Sequence, residues 1–107
     1  MASGRLGAVD LSSATHTLVY TVPSSTLSVV NISVCNRNKA SVKVRVSHLN
    51  GALGTLSEED YIEYDTVIQP NSVLERTGVA MAATHTIVAY SDTNKVSVQV
   101  HGIERAV

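Results

Sequence analysis

Residues 41–47 read Ser-Val-Lys-Val-Arg-Val-Ser, an alternation in which every second residue is valine. Residues 95–101, Lys-Val-Ser-Val-Gln-Val-His, have the same period of two. Successive side chains of a β-strand point to opposite faces, so each run places its valines on one face and its polar residues on the other. Both runs are predicted to be half-buried strands. Their valines form the predicted core: Val42, Val44, Val46, Val96, Val98 and Val100.

The rest of the chain contains short extended segments and no window with a helical period. Six further strands are predicted, near residues 5–11, 16–22, 26–35, 61–68, 72–77 and 85–91. Turn-forming residues such as Pro70-Asn71 separate them, and residues 56–60 could form one helical turn capped by Ser57. About eight short strands predict a single all-β domain over residues 1–107. Its expected fold is an antiparallel β-sandwich or jelly roll.

The third predicted strand departs from simple alternation. Leu27 and Val29 share one of its faces. Val30, Ile32 and Val34 share the other. Either a bulge lies at Val29-Val30, or both faces of the strand are covered. The second arrangement would fit a strand buried against another subunit.

One segment of the chain is repeated, since residues 14–34 recur as residues 83–103 at an offset of 69 (from 14 to 83). Ala-Thr-His-Thr-Leu-Val opens the first copy, and Ala-Thr-His-Thr-Ile-Val opens the second. Further on, Leu27-Ser28-Val29 aligns with Val96-Ser97-Val98. Each copy reads as two extended runs around a turn. We therefore expect a β-hairpin used twice, at two similar edges of the sandwich.

Composition narrows the range of functions and partners. Charged residues make up 16% of the chain, with a net charge of -1, so the basic surface of a nucleic-acid-binding protein is absent. Cys35 is the only cysteine, which excludes an intrachain disulfide. The first residues lack the apolar stretch of a secretory signal, and no segment has the length of a membrane helix. We expect synthesis in a cytoplasm and no membrane partner.

Residues that could carry catalysis or bind a metal do not form a known pattern in the sequence. The four histidines include no His-x-His pair and no pair at helical spacing, and carboxylates do not cluster near them. A Gly-x-Ser-x-Gly elbow and a glycine-rich phosphate loop are both absent. We therefore expect no enzyme activity, no metal site and no cofactor.

Four charged side chains and one tyrosine on two strands are the candidate contacts between subunits. The two basic residues lie on the polar face of residues 41–47. The tyrosine and the two carboxylates lie on one side of residues 61–68, and Tyr64 is expected on the opposite side. Opposite charges on exposed strand faces can pair within a sheet or between subunits. The candidate subunit-contact residues are Lys43, Arg45, Tyr61, Glu63 and Asp65.

A carbohydrate-binding sandwich is an alternative interpretation of the same strands. Sugar-binding platforms use exposed aromatic rings, and this chain has four tyrosines but no tryptophan or phenylalanine. Tyr61 is the only tyrosine expected on the same side as Glu63 and Asp65. The sequence therefore offers few rings for such a platform.

Three motifs, taken together in this order, resemble a known family: Val34-Cys35-Asn36-Arg37-Asn38, then Asp60-Tyr61-Ile62-Glu63-Tyr64-Asp65, then Val73-Leu74-Glu75-Arg76-Thr77-Gly78. The combination resembles small virion structural proteins of tailed bacteriophages, especially those of aquatic hosts, including cyanophages. This resemblance implies a β-rich particle component that is present in many copies. It implies no catalytic residues.

These observations lead us to expect a non-enzymatic phage virion structural protein, acting as a capsid decoration or cement subunit through subunit contacts. A tail, neck or fibre-associated module is one alternative, and the carbohydrate-binding β-sandwich is another. The expected partners are copies of the chain itself, with a trimer favoured, and other virion proteins such as the major capsid protein. The expected location is the virion, after synthesis in the host cytoplasm.

Overall fold

The computed structural model describes residues 3–107, which form two four-stranded antiparallel sheets. The strands are β1 (Ser3–Leu11), β2 (Thr17–Thr21), β3 (Thr26–Asn36), β4 (Val42–Leu49), β5 (Tyr61–Ile68), β6 (Val73–Met81), β7 (Thr86–Ser91) and β8 (Val96–Ala106). They confirm all eight predicted strands. Two short 3-10 turns, Leu53–Thr55 and Glu58–Asp60, lie between β4 and β5. The second follows Ser57, the predicted cap, whose backbone N–H donates to Asp60 Oδ2 at 2.9 Å as one half of a capping box.

The strand order is that of a jelly roll. Sheet A has the order β1-β8-β3-β6, and sheet B has the order β2-β7-β4-β5. In sequence, β1 pairs with β8, β2 with β7, β3 with β6, and β4 with β5. This is the pairing of one long antiparallel ribbon folded over on itself, and the β3–β8 and β4–β7 ladders complete the sheets. No helix in residues 3–107 is long and apolar enough to span a membrane.

The hydrophobic core lies between the two sheets. All six predicted valines are in it, and each is at most 2% exposed. Ile32, Ile68, Ile87 and Met81 supply the larger side chains. Branched aliphatic side chains pack well on a pleated sheet, so a core without phenylalanine or tryptophan is built mainly from valine and isoleucine.

The repeated segment does not form two hairpins, and that expectation was wrong. In the first copy the chain passes from β2 in sheet B to β3 in sheet A, and in the second it passes from β7 to β8 in the same way. Each copy therefore connects the two sheets instead of pairing with itself. The copies also lie side by side, because β2 pairs with β7 and β3 with β8.

The structural repeat is shifted by one residue from the sequence repeat. Strands β3 and β8 are both 11 residues long and begin 70 positions apart, at Thr26 and Val96 (96 − 26). A shift of one residue exchanges the two faces of a strand. Val29 is consequently exposed, whereas Val98, its partner at the offset of 69, is fully buried.

Candidate functional site

Three of the five candidate contact residues come together on the outer face of sheet B. Arg45 of β4 lies opposite Tyr90 of β7 in the ladder. Its Nε donates to Asp65 Oδ1 at 2.7 Å, and its Nη2 donates to Asp65 Oδ2 at 3.4 Å. Tyr61 joins the same group through Tyr64, with ring centroids 4.9 Å apart. The charges of Arg45 and Asp65 thus pair within one chain.

These side chains form a closed circle of contacts, which we call the tyrosine–arginine face. The Arg45 guanidinium lies 4.3 Å from the Tyr64 ring centroid and 5.0 Å from that of Tyr90. His16 packs on Tyr90 at 4.7 Å between ring centroids, and its Nε2 lies 3.2 Å from the hydroxyl of Tyr61. The Tyr61 ring meets the Tyr64 ring edge-on, at an interplanar angle of 82°. Five of these residues therefore close a ring of contacts, and Asp65 is attached to it through Arg45. The tyrosine–arginine face is defined as His16, Arg45, Tyr61, Tyr64, Asp65 and Tyr90.

The irregular course of β5 brings Tyr64 to this face. The pairing of β4 with β5 shifts register on both sides of Val46, and Asp65 has a left-handed backbone with φ of 51°. A simple alternation had placed Tyr64 on the opposite side of the strand from Asp65. With the alternation broken, Tyr64 is instead 55% exposed, and that part of the prediction was wrong. Aspartate tolerates the left-handed region better than most residues, so this position suits the distortion.

Glu63 lies away from the tyrosine–arginine face, contrary to its expected position beside Asp65. It is opposite Val46, a core residue, in the β4–β5 ladder. Its Oε2 accepts a hydrogen bond from Arg76 Nη1 of β6 at 3.1 Å, and its Oε1 accepts one from the Thr66 hydroxyl at 2.7 Å. Since β6 belongs to sheet A, Glu63 links the edges of the two sheets.

Lys43 is exposed two residues before Arg45 on β4. Its backbone N–H donates a hydrogen bond to Asp92 Oδ1 at 3.2 Å, outside the circle of contacts. Its ammonium group contributes, after Arg45, to lowering the pKa of Asp65. Lys43 is therefore a charged neighbour of the tyrosine–arginine face and has no place among its ring contacts.

The electrostatic interactions on this face favour a state in which its charged groups are paired and its net charge is zero. The hydrogen bond from Arg45 lowers the pKa of Asp65, and the same bond raises the pKa of Arg45. Burial lowers the pKa of His16, and the nearby charge of Arg45 lowers it further. A neutral His16 beside an Arg45–Asp65 pair leaves no net charge among these three groups.

A second histidine contact lies at the end of β4, beside the loop that leads to β5. His48 Nε2 and His85 Nδ1 are 2.8 Å apart, so one of the two nitrogens must carry a proton and the other must accept it. Burial lowers the pKa of His48, and the charge of His85 lowers it further, while Asp60 acts in the opposite direction. This contact therefore requires at least one neutral imidazole.

The outer face of sheet A is different in character. Leu27, Val29 and Ile103 are 39%, 40% and 58% exposed, and Val29 lies directly opposite Ile103 on β8 and Ala80 on β6. The ladder of β3 with β8 runs without a shift from Thr26 to Asn36, so β3 has no bulge at Val29-Val30. The bulge considered for this strand is therefore absent, and within one chain the face that carries Leu27 and Val29 stays exposed. We call Leu27, Val29, Ala80 and Ile103 the apolar row.

Among residues 3–107, no group of three histidine, cysteine or carboxylate side chains is arranged to hold a metal ion. Cys35 is a half-buried free thiol on β3. No family model, curated protein or solved structure matches the chain. The outer faces of the two sheets and the three sequence motifs are therefore the features that bear on function.

Proposed function

We propose that the chain is a non-enzymatic structural subunit of a tailed-phage virion, a decoration or cement protein that binds the capsid surface through the apolar row. The three-motif resemblance supports the virion assignment. Jelly rolls occur in viral capsid proteins, but also in lectins, so the fold alone does not assign a function. The apolar row is the observation that carries the proposal.

The apolar row lies mainly on the two central strands of sheet A, and Ala80 extends it onto the edge strand β6. An antiparallel sheet that faces water usually presents polar residues on its outer side. Here Val29 and Ile103 are neighbours across β3 and β8, and Leu27 lies two residues before Val29 on the same side. Contiguous exposed apolar residues mark interaction surfaces in soluble proteins. Covering the row by another subunit would remove this apolar surface from water.

The proposed partners are the major capsid protein and further copies of this chain. A trimer would suit a position of local threefold symmetry on a capsid. Lys43, Arg45, Tyr61, Glu63 and Asp65 remain candidate contacts, but Arg45, Asp65 and Glu63 already have ionic partners within the chain. The residues of the apolar row form no ion pairs that another subunit would have to replace. The row is therefore the better candidate for the primary contact. A site on the tail, neck or fibres would use the same row.

The double substitution Val29→Asp and Ile103→Asp tests this proposal. Two charges in the row should abolish binding of the purified protein to phage particles that lack it, and should reduce any trimer to monomer in native mass spectrometry. Val67→Asp is the matched control, because Val67 is a similarly exposed valine on sheet B. Unchanged particle binding by the double variant would contradict the role of the apolar row. If the wild-type protein binds no particles, the virion assignment itself fails.

A further inference from the structure

We infer that the tyrosine–arginine face of sheet B binds neutral oligosaccharides. This inference goes beyond the proposed structural role and does not use the apolar row, which lies on the other sheet. It rests on three properties of the face. They are an exposed ring held in a fixed orientation, polar groups beside that ring, and the absence of net charge among its ionisable groups.

The exposed ring is that of Tyr64. Arg45 covers one side of it at 4.3 Å, the Tyr61 ring lies at 82° to it with the two centroids 4.9 Å apart, and Tyr64 is still 55% exposed. An aromatic ring has an electron-rich face. The C–H groups on one side of a pyranose carry small positive charges and pack on such a face. Because Tyr64 is already held by two neighbours, little side-chain entropy is lost when a sugar binds.

Polar groups lie directly beside this ring. The Arg45 guanidinium has five N–H donors, and its bonds to Asp65 use one on Nε and one on Nη2, which leaves three. The Asp65 carboxylate accepts those two bonds and has further lone pairs, since a carboxylate offers about four acceptor positions. Donors and acceptors at the edge of a ring match the hydroxyl groups that surround a pyranose.

The balance of charge selects a neutral ligand. Arg45 and Asp65 offset one another, and His16 is neutral near pH 7 because burial and Arg45 lower its pKa. Lys43 is the one further charged neighbour that acts on Asp65. Single-stranded nucleic acid also stacks on aromatic rings, but it requires a strongly basic groove, and the chain has a net charge of -1. The balance therefore favours a sugar without charged substituents.

A protein partner fits this face less well than a sugar does. Tyrosine and arginine are common at the centres of protein interfaces, but those centres are depleted of other charged groups. Here Arg45 lies over the ring of Tyr64 and pairs with Asp65, whose carboxylate is itself exposed, and Lys43 adds a further charge that acts on Asp65. Docking a protein on this face would desolvate the ion pair, whereas the hydroxyls of a sugar can hydrogen-bond to it.

An array printed with neutral hexose oligosaccharides, sulfated oligosaccharides and single-stranded DNA tests the inference. The wild-type protein should retain neutral oligosaccharides only. Tyr64→Ala and Tyr64→Leu should both weaken binding of the best neutral oligosaccharide by about tenfold or more in titration calorimetry. Tyr64→Phe keeps the ring and should stay within about threefold of the wild type. Val73→Ala is the matched control, because Val73 on sheet A is about as exposed as Tyr64.

Three results would overturn the inference. They are no retention of any neutral oligosaccharide, equal affinity of folded Tyr64→Leu and wild type, and retention of sulfated sugars or DNA alone. Circular dichroism identifies which variants are folded, and Tyr64→Leu preserves apolar volume if Tyr64→Ala unfolds. The particle-binding assay uses the other sheet. A failure of sugar binding with intact particle binding therefore rejects only the oligosaccharide site, and the converse rejects only the virion role.

Discussion

The outer faces of the two sheets differ in what their side chains contact: other side chains of the same chain on sheet B, and water on sheet A. On sheet B, Arg45 is paired with Asp65 and enclosed by two tyrosine rings. On sheet A, Val29 and Ile103 lie side by side in contact with water. The first face is complete within one chain, and the second gains free energy only when another surface covers it. The proposed sugar site and the proposed capsid contact thus lie on the outer faces of different sheets.

The largest expected effect comes from placing a methyl group under the apolar row, with Gly102→Ala. A Cβ at Gly102 would lie 2.1 Å from the carbonyl oxygen of Val29 and 2.8 Å from the Cα of Val30, so the backbone of β3 or β8 must shift. We expect a loss of about 3 kcal/mol in the free energy of unfolding, measured by urea denaturation. Particle binding should suffer more than sugar binding, because the strain lies in sheet A.

Gly54→Ala is the control for this substitution, since nothing lies within 4 Å of a Cβ at Gly54. Its unfolding free energy should stay close to that of the wild type. Equal midpoints for Gly102→Ala and wild type would show that β3 and β8 tolerate separation at this point.

Much of the fold follows from the sequence because the governing signal is local. Alternating valines predict β4 and β8, and six further short extended segments bring the number of predicted strands to the eight of a sandwich. The facing of β5 does not follow, because it depends on the left-handed conformation of Asp65 and on two register shifts that no local pattern encodes. A single irregular residue moved Tyr64 outward and separated Glu63 from Asp65.

The tyrosine–arginine face was only partly predictable for a different reason. Arg45, Tyr61 and Asp65 were identified because they lie on two strands with readable alternation. His16 and Tyr90 come from the segment before β2 and from β7, and only the order of strands in sheet B brings them to β4 and β5. The repeated Ala-Thr-His-Thr segment was a signal at His16, but it gave no indication of a partner.

We expect an intermediate effect from substitution of the two carboxylates of β5. Glu63 lies at the edge of the sandwich, and Asp65 lies on the outer face of sheet B. Glu63 is 16% exposed and bonds to both Arg76 and Thr66, whereas Asp65 is 43% exposed. Glu63→Gln should lower the free energy of unfolding by about 1 to 2 kcal/mol, between the costs for exposed and buried pairs. Asp65→Asn should cost less stability but should alter sugar binding, because it weakens the hold on Arg45.

Urea denaturation of both variants at low and high salt decides this comparison. Screening by salt should reduce the contribution of the more exposed Asp65 pair more than that of Glu63. If Asp65→Asn proves the more destabilising change, the ion pair on sheet B is a structural requirement. The face would then have less freedom to exchange its hydrogen bonds with a ligand.

The smallest expected effect is the dependence of stability on pH, and it should arise from histidines on the side of sheet B. The pKa values of His16 and His48 are lowered from 6.5 in the folded protein, mainly by burial, so the unfolded chain binds more protons near and below that pH. Stability is therefore full above about pH 7.5 and falls as the pH decreases towards about 5. Arg45 beside His16 and His85 beside His48 oppose protonation, while Asp60 favours it at His48.

Unfolding free energies at pH 8 and pH 5.5 measure this dependence in the wild type and in the double variant His16→Gln and His48→Gln. The double variant should lose less stability between the two pH values, because glutamine stays neutral at both. If the double variant keeps the full dependence, groups other than His16 and His48 are responsible for it. Because the apolar row contains no titratable group, particle binding should persist at pH 5.5 for as long as the protein stays folded.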